Sequence, residues 1–272
     1  MADVVVRGVR FHVQQLGPPE REKKAPEARP TVIFLHGLVM DNLSSYYFTV
    51  ANRVAEFAEV LLYDLRGHGR SERPREGYGL GEMVADLAGL LASCGVKGPL
   101  HLVGNSFGGL LALAFAIAHP ERVAGLVLID AHVSNDRWGA EMAATLGVKG
   151  QARDEMIVKH FSNWLGRHSA RKRTRLAERA EALVYGTSLL ADLETSPPIS
   201  EEALAALKAP VLCLYGEHSD VLERGEWVAA RLPNVELRVL PGCSHSVLWE
   251  ATTTVRDAII EWVRRDTERS DR

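Results

Sequence analysis

Ser106 stands in the run Gly104-Asn105-Ser106-Phe107-Gly108, which fits the pattern G-x-S-x-G. The run sits directly between an apolar strand-like stretch, residues 100–103, and an apolar helix-like stretch, residues 110–118. A sharp strand-to-helix turn holds its central serine in a strained conformation. Glycines two residues either side are needed because a Cβ there would clash. A hydroxyl presented this way suits nucleophilic attack on an acyl carbonyl, provided that a base takes its proton and a third group fixes the tautomer of that base.

Ten histidines compete for the role of base. His245 has the best position: it follows the last strand-like stretch, in the turn Pro241-Gly242-Cys243-Ser244-His245, and precedes the final helix. His119 ends a helix before Pro120, His101 begins a buried strand, and His12, His160 and His168 fall in the front hairpin or in a helical insertion. For the third group, Asp220 is favoured over Glu217, in the loop Gly216-Glu217-His218-Ser219-Asp220 that leaves a strand at its C-terminal end, where sites on wound sheets assemble. Asp130, ending the preceding strand, is held in reserve. Acyl transfer also needs donors for an oxyanion, and the backbone N–H groups of Phe107 and Leu38 fit, the second in the turn after His36-Gly37.

The elements that must carry these residues are legible in the apolar runs at 31–35, 60–63, 100–103, 126–129, 211–215 and 235–240, several of them apolar at successive positions. Such runs predict parallel strands covered on both faces. Helical periodicity between them, at 46–59, 81–94, 108–119, 225–231 and 252–265, predicts an α/β fold: a mostly parallel central sheet with helices on both faces. Two short runs flanking Arg7-Gly8 predict an antiparallel hairpin at the sheet edge. Residues 17–30 read as a surface loop and 264–272 as a solvated tail.

From 133 to 207 no strand pattern occurs, only helical periodicity. The expected organisation is therefore a core of residues 1–132 and 208–272, with residues 133–207 inserted as a helical cap. Trp138, Met142, Met156, Phe161, Trp164 and Tyr185 of this insertion could wall an apolar pocket, although helical spacing makes packing the first explanation of any one of them. Met40 and Asn42, just past the oxyanion turn, are further pocket candidates. The basic run around Arg167, Arg171, Lys172, Arg173 and Arg175 reads as a solvated helix face.

With 46% hydrophobic and 25% charged residues the chain can bury a large core, and a formal net charge of −3 provides no field for nucleic acid. Met1 to Gln15 alternates and carries charge, unlike a secretory signal, and the longest apolar stretch, 110–118, is too short to span a bilayer. The expectation is a cytoplasmic protein with no membrane partner. Three cysteines without CxxC spacing point to reduced thiols rather than a disulfide framework or a zinc site.

In the order His36-Gly37, Asp64-Leu65-Arg66-Gly67-His68-Gly69-Arg70-Ser71, the Ser106 turn, Asp220 and His245, the chain resembles the α/β-hydrolase superfamily over nearly its whole length. The resemblance implies that residues 67–71 form a structural turn near the site. It also sets the chain apart from dehalogenases and epoxide hydrolases, whose relatives carry aspartate where Ser106 stands. The turn Gly104 to Gly109 looks like that of hydrolases that cleave carbon–carbon bonds in ring-fission products. Leu38-Val39-Met40-Asp41-Asn42 departs from the glycine-rich stretch of that group, however, and Arg66 stands where proline is frequent. The expected activity is hydrolysis of a small-molecule carboxylic ester or thioester through an acyl-enzyme, the acyl group free or carrier-bound, with no metal or organic cofactor required. Carbon–carbon hydrolysis and release or cyclisation of a carrier-bound acyl group are the alternatives.

Overall fold

The computed structural model describes residues 2–18, 29–135, 137–150 and 170–270. Eight strands form one sheet: β1 (Ala2–Val6), β2 (Val9–Leu16), β3 (Thr31–Leu35), β4 (Glu59–Tyr63), β5 (Leu100–Asn105), β6 (Val123–Ile129), β7 (Val211–Gly216) and β8 (Val235–Leu240). Their spatial order is β1-β2-β4-β3-β5-β6-β7-β8. The six strands from β4 to β8 pair in parallel, and β1 and β2 join antiparallel at one edge. Arg7 and Gly8, both at positive φ (50° and 80°), make the hairpin turn, the conformation that matches the twist of flanking strands.

Successive side chains of the central strands feed two cores. Ile33 and Leu35 join one apolar cluster, with Leu87, Leu110 and Phe115 from the helices Leu80–Ser93 and Phe107–Ala118. Val32 and Phe34 join the other, with Tyr46 and Val50 of the helical stretch 44–54 and Ile259 of the helix Thr252–Ser270. Burial on both faces is why these strands lack polar alternation. That last helix runs through the residues expected as a solvated tail. Arg264 lies over the Phe57 ring at 4.6 Å, and Arg265 pairs with Glu236 at 2.8 Å, so the charged end is held against the body.

Between β6 and β7 the described residues form only helices: Trp138–Leu146, Ala170–Val184, Leu189–Glu194 and Glu201–Ala206. The chain leaves β3 for β4 on one side, while β5 lies on the other. Loops after β3 and β5 therefore diverge and open a crevice at the C-terminal ends of the strands, the usual place for a ligand in a wound sheet. The 67–71 turn is pinned beneath it: Asp64 accepts the N–H groups of Leu43 (2.9 Å) and Arg70 (2.8 Å), and Ser71 Oγ donates to the Asp64 carbonyl (2.6 Å).

Candidate active site

Ser106 lies between β5 and the helix Phe107–Ala118 with φ 54° and ψ −118°, a conformation that non-glycine residues rarely adopt. The close approach that forces it is visible at its neighbours. A Cβ on Gly108 would come within 2.0 Å of the Leu35 carbonyl oxygen, and one on Gly104 within 2.3 Å of the Gly108 carbonyl oxygen. The turn therefore lifts the Ser106 side chain above the sheet edge, where Oγ stands 3.1 Å from His245 Nε2.

His245 occupies the loop after β8, and that loop is fastened at several points. Ser244 donates through both N–H (2.6 Å) and Oγ (2.9 Å) to Glu250, and the His218 N–H donates to the Cys243 carbonyl (2.8 Å). On the far side of the ring, His245 Nδ1 donates to Asp130 Oδ2 at 2.6 Å. Sequence reading preferred Asp220 for this contact. The structure gives the hydrogen bond to Asp130, the reserve, while Asp220 Oδ1 stands 3.8 Å from the same nitrogen.

The difference has a physical basis. Asp130 is fully buried and held by its surroundings: Oδ1 accepts the Gly216 N–H (2.8 Å), and the Ser219 hydroxyl donates to Oδ2. Its backbone, at φ 45°, turns the side chain toward the site while its N–H donates to the Leu214 carbonyl at 2.7 Å. The Asp220 side chain is 61% exposed and contributes charge alone. Burial opposes a charge on His245, but the hydrogen bond and charge of Asp130, with the charge of Asp220, prevail and hold the imidazole above its ordinary 6.5.

Leu38 and Phe107 line the same cavity wall as Ser106. In the turn after β3, the amides on either side of Leu38 are engaged: Gly37 N–H donates to Asp41 (2.8 Å) and Val39 N–H to His68 Nε2 (2.7 Å). Val39 stands at φ 66°. Phe107 opens its helix, where the first N–H groups have no intrahelical acceptor. His36 and His68 serve this turn as buried acceptors, His36 Nε2 taking the Leu65 N–H at 2.9 Å. Burial, with the charges of His36 and Arg73, pushes His68 down to about 3, so its Nε2 stays an acceptor.

A cavity of about 300 Å³ opens beside Ser106. Of the pocket candidates, Met40, Trp138, Met142 and Tyr185 line it. Asn42 does not; its Oδ1 accepts the Ser44 N–H (3.0 Å) at the head of the helical stretch 44–54. Met156, Phe161 and Trp164 lie outside the described residues, as does Arg167 of the basic run, while Arg171 and Arg175 are exposed on the helix Ala170–Val184. His132, Val221 and Arg224 also line the cavity and escaped the sequence reading. His132 had one signal, its place three residues after the end of β6. Arg224 is paired with Glu141, which lines the cavity as well. Among the described residues no cluster of potential ligands suits a metal ion, and no helix is long and apolar enough to cross a membrane.

Residues 30–189 match the family model described as alpha/beta hydrolase fold, and the chain belongs to that family. Its curated relatives include a 2-hydroxy-6-oxononadienedioate/2-hydroxy-6-oxononatrienedioate hydrolase of Burkholderia vietnamiensis, 30% identical over 76% of this chain and 76% of that one. They also include a pimeloyl-(acyl-carrier protein) methyl ester esterase of Chromobacterium violaceum, 30% identical over 80% of this chain and 87% of that one. Among solved structures, a thermophilic esterase from Thermogutta terrifontis superposes with a TM-score of 0.78 at 23% identity, covering 98% of this chain and all of that one.

Proposed function

We propose that the protein is a serine hydrolase acting on a carboxylic ester or thioester through an acyl-enzyme. The observation that carries this reading is the hydrogen-bonded chain from Ser106 Oγ through His245 to Asp130, set beside a mostly apolar cavity. Ser106 Oγ attacks the acyl carbonyl as its proton passes to His245 Nε2, and the Leu38 and Phe107 N–H groups receive the oxyanion. His245 returns the proton to the leaving alkoxide or thiolate. It then deprotonates the water that releases the acyl group. Asp130 keeps the Nδ1 proton in place and offsets the imidazolium charge, the role for which Asp220 was first favoured. Residues 133–207 act as the cap, and among their described side chains Trp138, Met142, Val184 and Tyr185 wall the cavity.

Rates on p-nitrophenyl esters of graded chain length and on acyl thioesters, with Ser106→Ala alongside, test the reading. Turnover that falls at least a thousandfold in the variant supports it. Carbon–carbon hydrolysis is the second reading, favoured by the identity to the dienedioate hydrolase. Cleavage of a ring-fission dienoate without ester turnover would establish it instead.

A further inference from the structure

The turn that carries Leu38 lies against the nucleophile and is held in place by side chains. A Cβ on Gly37 would meet Asp41 Oδ2 at 3.3 Å, and Asn105 Nδ2 and Ser106 Cβ both at 3.6 Å. Val39, two residues on, stands at φ 66°, a conformation that a β-branched residue resists. Such a turn keeps its shape only where its surroundings over-determine it. Two side-chain acceptors do so here. His68 Nε2 takes the Val39 N–H at 2.7 Å, and Asp41 Oδ2 takes the Gly37 N–H at 2.8 Å. Asp41 Oδ1 accepts the Asn42 N–H at 2.8 Å and the Ser45 hydroxyl, so this one carboxylate joins the turn to the head of the helical stretch 44–54.

Most amides of the segment are engaged. Met40 N–H donates to the Leu38 carbonyl (2.9 Å), Leu43 N–H to Asp64 (2.9 Å), Ser44 N–H to Asn42 Oδ1 (3.0 Å) and Ser45 N–H to the Asn42 carbonyl (3.1 Å). Of the amides from Gly37 to Ser45, those of Leu38 and Asp41 alone have no acceptor among the described residues. Leu38 lines the cavity with Ser106. Relaxation of Val39 to negative φ would re-aim the peptide planes of the turn, that of Leu38 among them. We propose that Asp41 is a positioning residue for acyl transfer: its carboxylate holds the strained turn so that the Leu38 N–H stays free to receive the oxyanion formed at Ser106. By charge alone the carboxylate would oppose that oxyanion, since Asp41 and Ser106 line one small recess. The three donors that it gathers outweigh this. The inference rests on the ester or thioester reading above.

The test compares wild-type protein, Asp41→Asn and Asp41→Ala in kcat and KM for p-nitrophenyl butanoate and in binding of an aryl trifluoromethyl ketone, to which a serine oxygen adds with formation of an oxyanion. A donor displaced rather than removed should lower kcat by about 10–100-fold in Asp41→Ala, leave KM within about threefold, and weaken the ketone as much as kcat. Asp41→Asn keeps one acceptor oxygen and should fall between the two. Hydrogen exchange guards against a general loss of structure: the Gly37 N–H should exchange faster in Asp41→Ala while the amides of β5 stay protected. A kcat in Asp41→Ala equal to or above that of wild type, the result if the carboxylate did no more than oppose the oxyanion by its charge, overturns the proposal. Lost protection along β5 also overturns it, since Asp41 would then serve the fold as a whole. If wild-type protein turns over no ester, that reading fails and the ketone decides the inference by itself. Ketone binding that weakens in Asp41→Ala upholds it; unchanged binding, or none in wild type, overturns it.

Discussion

Two carboxylates face one imidazole nitrogen at 2.6 and 3.8 Å, and their surroundings assign them different work. Asp130, buried and already accepting from Gly216 and Ser219, cannot swing away from His245. Asp130→Asn should therefore lower kcat/KM by about 10³–10⁴-fold, as expected when the orienting acid is lost and the wrong tautomer is held. Asp220→Asn should cost far less and act on the pH profile. Activity needs neutral His245, whose proton affinity is raised in part by the Asp220 charge, so the acid limb of kcat/KM should lie above pH 6.5 and move to lower pH in Asp220→Asn. Rate profiles over pH 5–9 decide it; equal losses in the two variants would make Asp220 a full partner of the histidine. Ser106 and His245 were readable because a turn pattern between a strand and a helix, and a histidine after the last strand, each fix a backbone position. The choice between Asp130 and Asp220 was not, because both follow parallel strands at the same edge and only the φ of 45° at Asp130 and the donors around it bring one carboxylate within bonding distance.

Strand runs and their parallel pairing were plain in the sequence, since burial on both faces leaves no alternation to misread. Helix limits were less so: the final helix continues to Ser270 because Arg264 and Arg265 find an aromatic ring and a carboxylate on neighbouring elements, contacts that local periodicity does not contain. A second long-range contact joins the elements beneath the site. Arg66, in the segment after β4, pairs with Asp86 of the helix Leu80–Ser93 through Nε and Nη2, both at 2.8 Å, and Arg7 of the edge hairpin reaches the same carboxylate at 3.2 Å. The Arg66 and Asp86 side chains are 7% and 2% exposed. Removing one partner strands a buried charge, so Asp86→Ala should cost about 3–5 kcal/mol in urea unfolding. Replacing Arg66 and Asp86 together by apolar residues should cost less than the single change, and a single-variant loss under about 1 kcal/mol would show that water reaches the pair.

At the scale of the molecule, three imidazoles among the described residues are held below their ordinary value and make folding sensitive to acid. His68 is lowered to about 3 and His101 to about 4, both chiefly by burial, and His132 is held well below 6.5. A group whose folded value is depressed keeps its full contribution above the unfolded value and loses it as pH falls toward the folded one. Each of the three should then weaken folding by up to ~1.4 kcal/mol per pH unit below about 6.5. His245 has the opposite sign, its contribution being complete below 6.5 and fading as pH rises through its raised folded value. Urea midpoints should begin to fall near pH 6.5, well before ordinary carboxylates titrate; midpoints flat from pH 7 to 5 would show that these rings accept protons without unfolding. The interleaved strand order has a consequence in time. Asp130 and His245, which share a hydrogen bond, are 115 positions apart in the chain, and Ser106 and His245 are 139 apart. A growing chain on the ribosome makes the serine turn early, but its base arrives only when the last strand has been added and the closing helix is emerging. The Ser106–His245–Asp130 array therefore cannot assemble until the segment after β8 has been made.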